Sequence, residues 1–312
     1  ITFGTQYDEQ LPAIDIPEDG YRQIVDIDSA ALYNTLIIGD SFTRPEKGMV
    51  HVIGQTLGDT VHSVCNMVRS NNYRPVDMLC YALNTGKLRA GQTVICESIE
   101  RSLEHRFMLE FDPNRTTLPD DMMSGHELRA KLARKNNATG MTLRAWLKPI
   151  TINGILSWIR CNLDYDNPVK HLDLSQPMFT HSDKGSKLYY YKDDYCSVGL
   201  SQARLDNISK GIALVSQKAA AQGVKLYWLV IPDKYDTYYP WIADPKTKAP
   251  NMLDCLYNVP GANIVNGRDT LRSMIESGIP DVFKLNDSHC SDIGHRALGQ
   301  CIANRILNDR QK

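Results

Sequence analysis

The chain has 312 residues, enough for one large domain or two modest ones, and 42% hydrophobic with 23% charged residues fits a globular protein with a sizeable core. Its 35 basic and 36 acidic residues leave a net charge of −1, which argues against an electrostatic nucleic-acid binder. There is no run of about 18 apolar residues, so no membrane span is expected; no export signal is visible, and a start at Ile1 instead of Met is what a removed signal or anchor would leave.

Residues 1–33 read as an irregular, polar approach. TLIIGD (35–40) is a short apolar run ending in a turn, as a buried parallel strand does. VHSVCN (61–66) is a second strand. PVDMLCYALNTG (75–86) places Val76, Leu79, Cys80 and Leu83 at helical spacing, with Gly86 as a stop. QTVICES (92–98) is a third strand, and this alternation of strand and helix is the pattern of βαβ units around a parallel sheet. From about residue 100 to 190 the rhythm breaks into a stretch rich in Arg, Asn, Asp and Met that holds Trp146 and Trp158. It then resumes. Residues 201–223 form a helix with Leu205, Ile208, Ile212, Val215 and Ala219 on one face and Gly223 at the end. KLYWLVIP (225–232) and residues 263–265 are strands, and TLRSMIESG (270–278) is a short helix. A strand-like VFKL precedes the last helix, DIGHRALGQCIANRIL (292–307), whose inward face is expected to hold Ile293, Ala297, Cys301 and Ile302. The expected fold class is α/β, a three-layer α/β/α sandwich with a central, mostly parallel sheet. Residues 1–312 are expected to form a single domain, with residues 105–185 as an insertion or lid-like subdomain.

The eight cysteines are scattered, with no CxxC pair and no zinc-like spacing, so no metal site is expected. Cys65, Cys80, Cys96 and Cys301 fall in apolar patterns, which suits buried free thiols; the even count also suits disulfides in an oxidising compartment.

The chemistry concentrates in two turns. Gly39-Asp40-Ser41-Phe42 follows the first apolar strand, and Asn286-Asp287-Ser288-His289 precedes the last helix. Ligands of doubly wound sheets bind beyond the carboxyl ends of the strands, where loops distant in sequence meet. A serine hydroxyl becomes a nucleophile when an imidazole takes its proton, and the imidazole needs an acceptor on its other nitrogen. Ser41, His289 and Asp287 are the residue types for those roles. Asp292 and His295 form a rival pair, but both fall inside the expected helix, where Asp292 suits the first turn. The Ser41 N–H, with Asn71 and Asn72 on the loop after the second strand, are candidate oxyanion donors. Asp40 reads first as a turn-former. Glu100 and Arg101 read as an ion pair, or Arg101 as a group near the site that steers an anionic sugar or braces the serine loop. Lys234 reads as a surface cation or a carbohydrate-facing donor, and Tyr235, Tyr238 and Tyr239 as packing or as sugar-stacking rings.

The GDSF turn, and the D-x-H followed by S-x-x-G-H, resemble the SGNH (GDSL-type) esterase superfamily. MLCYALNTGKLRAGQTVICESIERSL (78–103), VIPDKYDTYYP (230–240) and NDSHCSDIGH (286–295) resemble blocks of alginate O-acetyltransferase-like proteins. The match covers about half the chain in pieces. Cys290 stands where that family has tryptophan, and the Asp-x-His block follows the serine block here but precedes it there. The glycine and asparagine of the usual oxyanion hole have no obvious counterpart. The resemblance implies an extracytoplasmic, periplasmic serine acyltransferase that moves acetyl groups onto or off a cell-surface or exported polysaccharide through an acetyl-Ser41 intermediate. Its partners would be a carbohydrate acceptor and an acetyl donor, with a membrane acyl-donor protein as one such donor, and no cofactor is required. An O-acetyl esterase sharing the first half-reaction, and a noncatalytic glycan-binding protein on a degenerate fold, stay open as alternatives.

Overall fold

Short runs rich in Val, Ile and aromatic residues supply the strands, and amphipathic stretches supply the helices between them. The first half holds β1 (Arg22–Ile24), β2 (Thr35–Gly39), α1 (Met49–Leu57), β3 (Val61–Cys65), α2 (Pro75–Asn84), β4 (Thr93–Ile99) and α3 (Glu100–Met108). A hairpin of β5 (Val169–Asp173) and β6 (Lys187–Tyr191) follows, then α4 (Gln202–Ala221), β7 (Lys225–Ile231) and α5 (Lys234–Tyr238). The chain closes with α6 (Met252–Leu256), β8 (Asn263–Asn266), α7 (Gly267–Glu276) and α8 (Asp292–Arg310). The structure, a computed structural model, describes residues 22–43, 48–65, 75–108, 111–118, 169–181, 184–195 and 198–312.

The main sheet has six strands in the order β1-β3-β2-β4-β7-β8, every neighbouring pair parallel. Parallel strands covered on both faces read as continuous apolar runs, and Leu36, Ile37 and Ile38 are all fully buried. Their side chains alternate between two cores. Leu36, Ile38, Cys96 and Trp228 pack with α2, α3, α4 and α6, whereas Ile37, Ile95 and Leu229 pack with α1, α7 and α8. The architecture is therefore α/β with helices on both faces of a parallel sheet. Among the described residues no helix is long and apolar enough to cross a membrane.

The α4 stripe expected from spacing is the buried one: Leu205, Ile208, Ile212, Val215 and Ala219. The last helix differs. Ile293 is 44% exposed, and the buried stripe runs through Gly294, His295, Leu298, Gly299, Ile302, Ala303 and Ile306. Two glycines set this face. A Cβ on Gly294 would lie 2.5 Å from the Val282 carbonyl oxygen, and one on Gly299 would lie 2.7 Å from that of Met49. The helix thus approaches backbone on its glycine side: Ile293 faces outward, Ala297 and Cys301 are partly buried against the core, and Ile302 is buried as expected.

The expected start of the insertion at residue 105 falls inside α3, whose Leu103 and Phe107 belong to the main core. The hairpin near its far end also joins the body, through buried Leu174, Met178, Phe179, Leu188 and Tyr190. VFKL forms no strand; Phe283 makes an isolated bridge with Cys290. Cys80, Cys96 and Cys290 are buried free thiols, and Cys255 and Cys301 are partly buried free thiols.

Candidate active site

Strand β2 ends at Gly39 because a side chain there has no room. A Cβ would lie 2.4 Å from Thr43 Cγ2 and 2.6 Å from Glu97 Oε2. The chain turns at once into a single 3-10 turn, Ser41–Thr43. Asp40 makes that turn: its Oδ1 accepts the Phe42 N–H at 3.1 Å, and its carbonyl accepts the Thr43 N–H at 3.2 Å and hydroxyl at 3.0 Å. Phe42 is buried against the rings of His289 and His295, with centroids 4.6 and 5.6 Å away, while its neighbour Ser41 stays partly exposed. The Ser41 N–H makes no hydrogen bond among the described residues.

Beneath the turn lies a charged network. The Asp40 N–H donates to Glu97 Oε2 at 2.7 Å, and Asp40 Oδ2 accepts from Arg106 Nη2 at 2.9 Å. Arg106 also donates to Ser98. Burial would raise the Asp40 carboxyl, but the Arg106 guanidinium and the Phe42 N–H outweigh it and hold Asp40 below the usual carboxylate range. Glu97 goes the other way: burial, then the charge of Asp40, push it well above that range, so it is the neutral acid of the pair.

The facing loop is pinned at several points. Asp281, with φ 54°, is the one non-glycine at positive φ among the described residues. Its N–H donates to the Met178 carbonyl at 3.0 Å, and its carboxylate accepts the Thr180 hydroxyl at 2.7 Å. The Lys284 N–H reaches the His289 carbonyl at 3.2 Å, and Ser291 then caps α8 by accepting the Gly294 N–H. Lys234 Nζ donates to the carbonyls of Lys284 and Leu285 at 2.7 and 2.8 Å. Arg101 Nη2 donates to Ser288 Oγ at 3.3 Å, while Nη1 pairs with Asp194 at 3.0 Å and with Asp233.

These two turns meet. Ser41 Oγ lies 3.0 Å from His289 Nε2, and His289 Nδ1 lies 2.7 Å from Asp287 Oδ1. Asp287 also accepts the His289 N–H at 3.1 Å. Burial would raise the Asp287 carboxyl, but the hydrogen bond from the His289 ring and the attraction of its charge win, and Asp287 falls well below the usual carboxylate range. An ionised Asp287 accepts only, so Nδ1 carries the proton and Nε2 is the nitrogen that faces the Ser41 hydroxyl as acceptor. The side chains of His289 and Asp287 keep 14% and 15% of their exposure, so a reactant reaches the trio from solvent. The site also lies where doubly wound sheets bind ligands. After β2 the chain runs outward to β3 and then returns past β2 to β4, so Ser41 stands at the switch point of strand order.

The structure thus brings Ser41, Asp287 and His289 together and puts other expected residues elsewhere. Asp40 is buried under the turn and faces no substrate. Lys234 is neither a surface cation nor a sugar donor, because it is wholly buried and its ammonium is spent on loop carbonyls. Arg101 braces the histidine loop, not the serine loop. Glu100 makes no ion pair with Arg101; its Oε2 accepts the Asp233 N–H at 2.9 Å, and burial with the nearby Asp236 and Asp233 charges pushes it well above the carboxylate range. Tyr235 and Tyr238 are buried packing residues, with the Tyr235 hydroxyl on the Lys248 carbonyl at 2.7 Å. Asn71 and Asn72 lie outside the described residues. Glu97 and Arg106 carry no motif, and the signal for Glu97 was a carboxylate inside an otherwise uncharged strand, TVICESI. Among the described residues no group of three or more His, Cys, Asp or Glu side chains is arranged to hold a metal ion. No protein-family model matches the chain, and no curated protein matches it.

Proposed function

We propose that the chain is a serine acyltransferase of the SGNH type, which moves acetyl groups onto a polysaccharide hydroxyl through an acetyl-Ser41 intermediate. One observation carries the acyl-transfer part: the unbroken path from Ser41 Oγ to His289 Nε2 at 3.0 Å and from His289 Nδ1 to Asp287 at 2.7 Å. In this reading Ser41 Oγ attacks the carbonyl of an acetyl ester as its proton passes to Nε2. Asp287 stabilises the imidazolium, and the Ser41 N–H is one donor for the oxyanion. Collapse expels the donor alcohol, which takes the proton back from Nε2. A carbohydrate hydroxyl then gives its proton to the same nitrogen and attacks the acetyl-serine, and collapse breaks the bond to Ser41 Oγ, which takes the proton back from Nε2. The sugar acceptor, the SGNH assignment and a place outside the cytoplasm are supported by the resemblance of the GDSF, Pro-x-Lys and Asp-x-His blocks. A serine after an early inner strand and an Asp-x-His ahead of the last helix agree with it.

Hydrolysis is the second reading, favoured by the partial exposure of Ser41, which lets water reach the acyl-enzyme. Release of 4-nitrophenol from its acetate ester, with and without oligosaccharides, separates the two for wild type and Ser41→Ala. The expected result is a loss of roughly 10⁴-fold or more in the variant and acetylated sugar in the wild type. Acetate alone identifies the esterase. Equal rates for the two proteins would sink the serine mechanism.

A further inference from the structure

Lys234 opens α5, just past the carboxyl end of β7, and its side chain is entirely buried. A buried ammonium is kept only where it finds acceptors. Here they are the carbonyls of Lys284 and Leu285, at 2.7 and 2.8 Å, and the Phe179 ring lies 5.1 Å from Nζ. These carbonyls stand three and two residues before Asp287, in a segment that forms no regular strand. We propose that Lys234 is a positioning residue for the base: by gripping this loop it keeps Asp287 and His289 in line with Ser41. Arg101, anchored by Asp194 and Asp233, holds the same loop from the other side through Ser288. The inference rests on the serine-enzyme reading above.

The charge acts as well as the hydrogen bonds. The groups facing Lys234 are Asp194, from the turn after β6, and Asp281, Asp287 and Cys290, from the loop; burial outweighs their attraction and pushes Lys234 down to about 7. On the acid side of that value Lys234 is a cation near Asp287. A cation there opposes a second positive charge on His289. Without it, His289 keeps its proton to higher pH, and the acid limb of Ser41 reactivity moves up. A lysine that only fills space would leave that limb in place.

The test is the rate at which a fluorophosphonate labels Ser41, read by intact mass from about pH 5 to 9, for wild type, Lys234→Met and Lys234→Gln. The glutamine carries an NH₂ donor without the charge. Thermal melts establish that each variant is folded. The expected result is a roughly 10- to 100-fold slower plateau for Lys234→Met, part of it regained in Lys234→Gln, and an upward-shifted acid limb in both. Wild-type plateau and limb in Lys234→Met overturn the inference; if that variant does not fold, the same outcome in Lys234→Gln overturns it. Failure of the wild type to label counts against the serine reading itself and is thereby distinct from failure of the Lys234 inference.

Discussion

His289 serves as a base in one tautomer only, and Asp287 selects it. The carboxylate accepts from Nδ1 at 2.7 Å and from the residue's own N–H at 3.1 Å, so ring and backbone are held by one acceptor. Asp287→Asn keeps the shape but can offer an NH₂ to Nδ1. The ring then places its proton on Nε2, opposite Ser41, and cannot accept another. Acyl-enzyme formation should fall by about 10⁴-fold, with KM and the melting temperature nearly unchanged. Steady-state kinetics with a folded variant check this, and a fall of less than about tenfold would mean that Asp287 does not set the tautomer. The trio was legible in the sequence because each member sits in a short local pattern: a serine in a turn after an apolar run, and a D-x-H just before a helix. Lys234 and Glu97 were not legible as supports. Their roles depend on which carbonyls and amides lie above them, and these belong to segments 50 and 57 residues away.

The elements that carry the trio are shaped by close approach. Gly39 leaves room for Thr43 and Glu97, so Gly39→Ala must displace the turn that carries Ser41. We expect the variant to lose about 1–3 kcal/mol of stability and most of its acyl-transfer activity, measured by urea unfolding and Ser41 labelling. Glu97 supplies a contrast. As a neutral acid it resembles glutamine, so Glu97→Gln should stay within a few-fold of wild-type activity, whereas Glu97→Ala removes the acceptor of the Asp40 N–H and should be far slower. Equal activity for the two would remove Glu97 from the support of the turn. Alternating apolar runs made the strands and the α4 face readable, since the spacing of Leu205 to Ala219 is set within one helix. The α8 face was not readable in the same way. Ile293 satisfies the apolar period, but the close approach of Gly294 and Gly299 to the Val282 and Met49 carbonyls sets the buried face and leaves Ile293 exposed. VFKL likewise has strand-like composition but makes only the Phe283–Cys290 bridge among the described residues, and its Lys284 and Leu285 carbonyls turn to Lys234.

At the scale of the whole molecule, the carboxyl ends of β4 and β7 gather more buried acid than their cations neutralise, and this gives stability a distinctive dependence on pH. Burial raises Glu97 and Glu100 well above the carboxylate range and raises Asp194 to about 6. From the unfolded carboxyl values near 4 up to those folded values, the native state keeps protons that the unfolded chain has released. Stability is therefore greatest at the lower end of this window and falls as pH rises. The span from 3.8 to about 6 makes Asp194 alone worth on the order of 3 kcal/mol. Asp40 and Asp287 are shifted down, so their stabilisation is lost as pH drops below the unfolded value of 3.8. Lys234 is shifted from 10.5 to about 7, and between those values the unfolded chain binds a proton that the native state lacks, so its contribution to stability rises with pH. The urea midpoint should therefore peak at about pH 4 and decline as pH rises, with Lys234 opposing the decline above about pH 7. Glu97→Gln and Glu100→Gln should flatten the decline, and Lys234→Met should steepen it above about pH 7. A midpoint that climbs steadily from about pH 4 to 7 would mean that these acids are ionised in the folded protein, and that the support beneath the serine turn is an array of charges instead of a set of shared protons.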